Sequence, residues 1–152
     1  MDIKQLKPNP NSRFKQGYFQ GAKKYFGPEP IIYRSSLEYK FMVKMEMSPS
    51  VEKWSSEQII IPYVMKEKVA GKFVTKRHNY HTDFSVFLKN GKKYIVEVKP
   101  RAQTPLNESQ IRTNPVMYKN GCKWRAAMLW CTANNYQFKI INEEHLKTKI
   151  FD

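Results

Sequence analysis

The stretch His81-Thr-Asp-Phe-Ser-Val-Phe-Leu-Lys-Asn90-Gly-Lys-Lys-Tyr-Ile-Val-Glu97-Val-Lys99-Pro-Arg101 decides the fold. It reads as two β-strands joined by a tight turn at Asn90-Gly91. Strand side chains alternate between faces. Glu97 and Lys99 therefore share one face with Ile95, and Tyr94, Val96 and Val98 form an apolar row on the other. A two-residue turn pairs Lys89 with Lys92 and Phe84 with Glu97, which sends Asp83 to the wrong face. A three-residue turn with Gly91 in a left-handed bulge pairs Leu88 with Lys92 and Asp83 with Glu97. Only that register leaves Phe84, Val86, Leu88, Tyr94, Val96 and Val98 on one apolar face, and the buried face sets register. The spacing predicts the bulged turn.

Two opposed carboxylates repel by roughly 4 kcal/mol at about 4 Å and an effective dielectric near 20. A solvated pair eased by Lys99 is the plain reading. A hard divalent cation between them is the sharper one, because Mg²⁺ binds through one or two carboxylates plus substrate phosphates.

Working outward, the 152 residues carry 27 Lys and Arg against 13 Asp and Glu, a formal net charge of +14. Such a surplus favours polyanionic partners, nucleic acid before anionic membrane. No apolar run approaches the ~20 residues of a membrane helix, and the N-terminus lacks a signal-peptide core. A soluble protein of one main domain is expected. Cys122 and Cys131 are spaced for neither a zinc knuckle nor a redox pair, and read as buried thiols. His78 and His81 lack thiol neighbours at ligand spacing, so a zinc site is not expected.

Residues 1–30 are expected to form an extended basic and aromatic arm ahead of a domain at 31–152. Phe14, Tyr18, Phe19, Tyr25 and Phe26 alternate with Arg13, Lys15, Lys23 and Lys24. These rings suit packing on the domain surface, and equally stacking on nucleic acid; packing is slightly favoured. Leu37, Phe41, Met42 and Met45 define a helix face. Ser35 and Glu38 fit a capping box, yet Glu38 borders that apolar stripe and can equally face Asp83 and Glu97. Val51–Trp54 and 57–64 read as short strands, with Ile59-Ile60-Ile61 buried on both faces. Residues 66–76 read as a polar connection, although Lys72 to Tyr80 leads into the Asp83 strand. Pro115 predicts a helix break at Asn114. Cys122–Ala133 is apolar nearly all round and reads as a buried helix, Asn134-Asn135 as its left-handed close, Tyr136 to Ile140 as a strand, and 143–149 as a last helix.

The order helix with Glu38, strands, Asp83, hairpin, Glu97-Val98-Lys99, buried helix and strand resembles the PD-(D/E)XK nuclease superfamily. That resemblance implies an α/β (α+β), restriction-endonuclease-like αβββαβ core with a mixed central sheet flanked by helices. Tyr33-Arg34-Ser35-Ser36-Leu37-Glu38, Ile61-Pro62-Tyr63, Thr82-Asp83-Phe84-Ser85-Val86 and Glu97-Val98-Lys99-Pro100 look like the TnsA transposase-endonuclease group. Lys24-Tyr25-Phe26-Gly27, Trp54-Ser55-Ser56-Glu57 and Gln103 look like the head-completion nucleases of T-even-type tailed phages. The likeness spans about Lys23 to Ile141. Thr82 stands where the superfamily's proline precedes the aspartate. Asn114, four residues after Gln110, departs from the Gln-X-X-X-Tyr motif of the RecB branch.

The resemblance implies a Mg²⁺-dependent (or Mn²⁺-dependent) DNA nuclease, endonucleolytic and also exonucleolytic, with catalytic Glu38, Asp83, Glu97 and Lys99. It places the metal on Asp83, Glu97 and the Val98 carbonyl, with Glu38 as a further ligand, and DNA contacts on Arg34, Arg101 and Gln103. It further implies double-stranded DNA and portal or head–tail connector proteins as partners, no membrane and no small-molecule cofactor. Its setting would be the host cytoplasm during assembly and the virion. Competing readings are a TnsA-like transposition or restriction endonuclease, and a non-catalytic DNA-binding head plug. All four site positions are filled, which speaks against the plug. The short chain leaves little room for a transposase subunit's further domain.

Overall fold

The computed structural model describes residues 15–104 and 108–151. Phe14 and Arg13 of the basic arm lie outside the described residues. Its centre is a mixed four-stranded sheet in the order β3-β6-β7-β8. These strands are β3 (Val51–Ser56), β6 (Phe84–Leu88), β7 (Lys93–Val98) and β8 (Gln137–Ile141). β3 and β7 run antiparallel to β6, and β8 runs parallel to β7. This is the α+β, restriction-endonuclease-like architecture the resemblance implied.

The β6–β7 register settles the turn. Phe84 pairs with Val96 and Val86 with Tyr94, the Leu88 amide donates to the Lys92 carbonyl at 2.9 Å, and the Gly91 amide to the Leu88 carbonyl at 3.0 Å. Gly91 sits at φ +90°, where a side chain is strained and glycine is not. Phe84, Val86, Leu88, Tyr94, Val96 and Val98 all join one buried cluster.

Helix α1 (Ser36–Met47) covers that face with Phe41, Met42 and Met45, each fully buried. Trp54, Ile141 and Phe151 complete the cluster. Short strands β1 (Gly17–Phe19) and β2 (Ile31–Tyr33) pair with each other. Phe19 and Tyr25 pack around Trp54, and Phe26 meets Phe87 edge-on. In residues 15–30 the rings of Phe19, Tyr25 and Phe26 thus serve packing, whereas Tyr18 is exposed. Glu46 accepts from the Trp54 indole at 2.7 Å and from the amides of Lys23 and Lys24, tying this segment to α1.

On the opposite face lies helix α3 (Pro115–Ala133), preceded by α2 (Glu108–Thr113). Asn114 separates them and caps α3, its side-chain oxygen accepting from the amides of Val116 and Met117. α3 is not buried all round, as its composition suggested. Trp124, Ala127 and Cys131 are inside, whereas Met128 is 54% and Leu129 69% exposed, because only one sheet face is available to cover it. Asn135 closes it at φ 61°, and both cysteines are free thiols. The expected last helix reduces to a single 3-10 turn at His145–Lys147.

The largest departure is at residues 66–76. The expected polar connection is instead a long antiparallel ribbon, β4 (Ile60–Val69) and β5 (Lys72–His81). Ile60 is 49% exposed, since the ribbon stands outside the central sheet and only one of its faces is covered. Among the described residues no helix is long and apolar enough to cross a membrane.

Candidate active site

One end of the sheet opens into a cleft of about 380 Å³. Each wall comes from a different element. Asp83 lies in the short passage between β5 and β6, Glu97 and Val98 end β7, and Lys99 follows them. Glu38 comes from the first turn of α1, Arg34 from the segment before it, and Gln103 from the turn after Pro100. Among the sequence-predicted site residues Arg101 does not line the cleft. It lies on the exposed surface, its amide donating to Glu143.

The turn register carries Asp83 opposite Glu97. The Val98 amide donates to Asp83 Oδ2 at 2.9 Å, so the aspartate reaches across to the end of β7. The Asp83 carbonyl accepts from the Glu57 amide at 3.0 Å, and the Thr82 amide donates to the Ile59 carbonyl at 3.1 Å. Thr82 Oγ1 donates to that same carbonyl at 2.8 Å. A proline at 82 has no N–H to give; threonine supplies two donors here.

Glu97 is 4% exposed. Burial, and next the Asp83 charge, push its carboxyl up to about 8. Tyr80, Lys99 and Lys123 pull the other way without offsetting this. The Tyr80 hydroxyl donates to Glu97 Oε2. Burial and the neighbouring Glu97 and Asp83 charges raise the Tyr80 phenol well above its ordinary range, so it remains a donor. Lys123 Nζ stands 5.5 Å from the centre of the Tyr80 ring.

Sequence reasoning missed Tyr80 and Lys123. Tyr80 precedes Asp83 by three residues in an apolar position, a weak signal. Lys123 belongs to a helix read as wholly apolar, and only the packing of α3 brings it near.

Glu38 is 8% exposed. Ser35 caps α1, accepting from the Glu38 amide at 3.1 Å, while the Glu38 carboxylate lies within reach of Ser35 Oγ at 3.4 Å and lines the cleft. Cap and cleft are both served by the one residue. Arg34 Nε binds Glu57 Oε1 at 3.0 Å, which links it to the segment whose amide holds the Asp83 carbonyl.

The donor set suits a hard cation. Two carboxylates stand together at the end of a strand, with the Val98 main chain between Glu97 and Lys99, and all the available donors are oxygens. Among the described residues no group of three His, Cys, Asp or Glu side chains forms a metal cluster. A cation here takes its remaining positions from main chain, substrate phosphate or solvent, as Mg²⁺ commonly does.

Residues 48–143, well over half of the chain, match the TnsA-like endonuclease N-terminal family, and the chain belongs to that family of nucleases. Asp83, Glu97 and Lys99 fall inside the matched stretch; Glu38 precedes it. The chain is also 27% identical, over 140 residues, to the head completion nuclease of Enterobacteria phage T4, covering 84% of this chain and 89% of that protein.

Proposed function

We propose that this protein is a divalent-cation-dependent deoxyribonuclease that processes packaged DNA in phage head completion, before the head joins its tail. The observation that carries the chemistry is the buried Glu97 carboxyl facing the half-buried Asp83, whose mutual repulsion a cation relieves, beside Lys99 in a chain of net charge +14. Similarity to the T4 head completion nuclease over nearly that protein's whole length supports the biological setting.

In this reading Asp83, Glu97 and the Val98 carbonyl hold Mg²⁺ or Mn²⁺. When bound, the cation polarises the scissile phosphate and acidifies water. Lys99 places its ammonium where negative charge develops, and Tyr80 fixes the rotamer of Glu97 by donating to Oε2. Glu38 orients Lys99 or water from the opposite wall, and Gln103 and Arg34, which line the cleft, hold phosphate oxygens. The test is incubation of supercoiled plasmid and linear duplex with Mg²⁺, beside the Asp83→Ala protein.

Two further outcomes separate positioning from chemistry. Because Ser35 supplies the cap, Glu38→Gln is expected to cost under about 1 kcal/mol of stability while lowering the cleavage rate roughly a hundredfold. Near-normal turnover would reduce Glu38 to a cap neighbour. Tyr80→Phe removes one donor from Glu97 and is expected to move the rising limb of the pH–rate profile toward higher pH, with a rate loss on the order of tenfold. A lower rate on an unmoved profile would make Tyr80 a packing residue only.

A further inference from the structure

Ten residue pairs join β4 to β5, from Ile60–His81 to Val69–Lys72, and the ribbon belongs to no larger sheet. Its base is held in the fold: Ile61, Tyr63 and Tyr80 form a cluster with Ala127 of α3. Beyond Met65 the ribbon projects, turning at Ala70 (φ 50°) and Gly71 (φ 81°), the paired left-handed geometry of a tight hairpin. Four pairs past Met65 at about 3.4 Å each give a reach of roughly 14 Å.

The two faces of this projection differ in charge. Directly paired residues share a face. On one face lie Val64 with Arg77, Lys66 with Thr75, and Lys68 with Phe73. That face carries three exposed cations and no acid, and its Phe73 is 76% exposed. Glu67, the sole acid of the projecting part, is on the other face, engaged by His78 at 2.6 Å and Lys76 at 3.7 Å. The edge of β4 is braced, the Lys66 amide donating to the Tyr118 hydroxyl at 3.2 Å. The ribbon thus holds exposed cations and an exposed aromatic ring on a hairpin whose edge is braced.

We propose that this Lys66–Lys68–Arg77 face of the β4–β5 ribbon grips duplex DNA, a reading that deepens the nuclease assignment and rests on it for the fate of the bound DNA. A two-stranded ribbon fits the major groove, about 12 Å wide, and lysine and arginine along it neutralise phosphates on the groove walls. The grip connects to the site within one strand. β5 runs from Arg77 to Tyr80, which holds Glu97, and its chain continues directly to Asp83.

The test measures binding of the full chain to a fluorescent ~30-bp duplex without divalent cations, across a salt series. Lys66→Ala/Lys68→Ala/Arg77→Ala leaves three phosphates without their cations. It is expected to show a salt slope shallower by about 2 to 3, and on the order of a hundredfold weaker binding near 0.1 M salt. Lys68→Ala alone, far from the packed base, is expected to shift the slope by about 1. Charge-keeping Lys66→Arg/Lys68→Arg/Arg77→Lys retains the wild-type slope. Wild-type slopes in both alanine proteins overturn the grip. Plasmid cleavage by the wild type reads the nuclease assignment separately. Cleavage with unchanged slopes sinks only the ribbon, and a shallower slope without cleavage in any divalent cation sinks only the nuclease.

Discussion

Asp83→Ala is expected to abolish plasmid cleavage in Mg²⁺ while leaving the protein folded. Its carboxylate stands opposite Glu97 and holds the Val98 amide at 2.9 Å, so the substitution removes one of two acidic donors and loosens the strand end that presents the other. Loss of a preorganised charge that acts in the transition state costs about 3 to 4 kcal/mol, a rate loss of roughly 10²- to 10³-fold. Lys99→Ala is expected to fall in the same range, since its ammonium lines the same cleft. Stability should fall by about 1 to 2 kcal/mol, the size of the lost bond from the Val98 amide to the Asp83 carboxylate. Gel-based plasmid relaxation beside a thermal melt measures both. Cleavage within tenfold of wild type in the Asp83→Ala protein would remove this acid from the site.

The second large effect concerns stability and has a defined sign. Burial and Asp83 hold the Glu97 carboxyl near 8, above the ordinary glutamate value. Between the unfolded value and about 8 the folded protein keeps a proton that the unfolded chain has released. Stability therefore falls as pH rises through that window. The full difference is on the order of 5 kcal/mol, at about 1.4 kcal/mol per unit.

Glu97→Gln keeps an oxygen for the Tyr80 hydroxyl and has nothing to ionise. The expected result is a melting temperature close to wild type at pH 5 and about 10 °C above it at pH 8.5. Parallel melting curves across that range would show that the carboxylate is not strained by its surroundings. Mg²⁺ should narrow the gap at pH 8.5 by stabilising the wild type, by about 2.7 kcal/mol at a hundred times its dissociation constant.

Both results depend on a turn that is legible in the residues alone. The alternation from Phe84 to Val98 admits one register with a clean apolar face, and that register sets Asp83 against Glu97. The Leu88–Lys92 closure and the positive φ of Gly91 follow from the same constraint. Period-two patterning is local, and the core must take the apolar side.

What the residues alone determined is the sheet's central hairpin, the α1 face, the cap at Ser35 and the grouping of an acid pair with a lysine. Tertiary structure decided the rest, because it depends on what covers each surface. Residues 66–76 lack apolar alternation for the reason that neither face of the outer ribbon is buried, so the pattern that reveals buried strands was absent there. α3 looked wholly buried because its composition does not record that only one side of it meets the sheet. Tyr80 and Lys123 reach Glu97 only once β5 and α3 pack on one face of β7. Tyr80 acts on Glu97 by a hydrogen bond and Lys123 by its charge, across 17 and 26 positions of chain, where no local periodicity carries a signal.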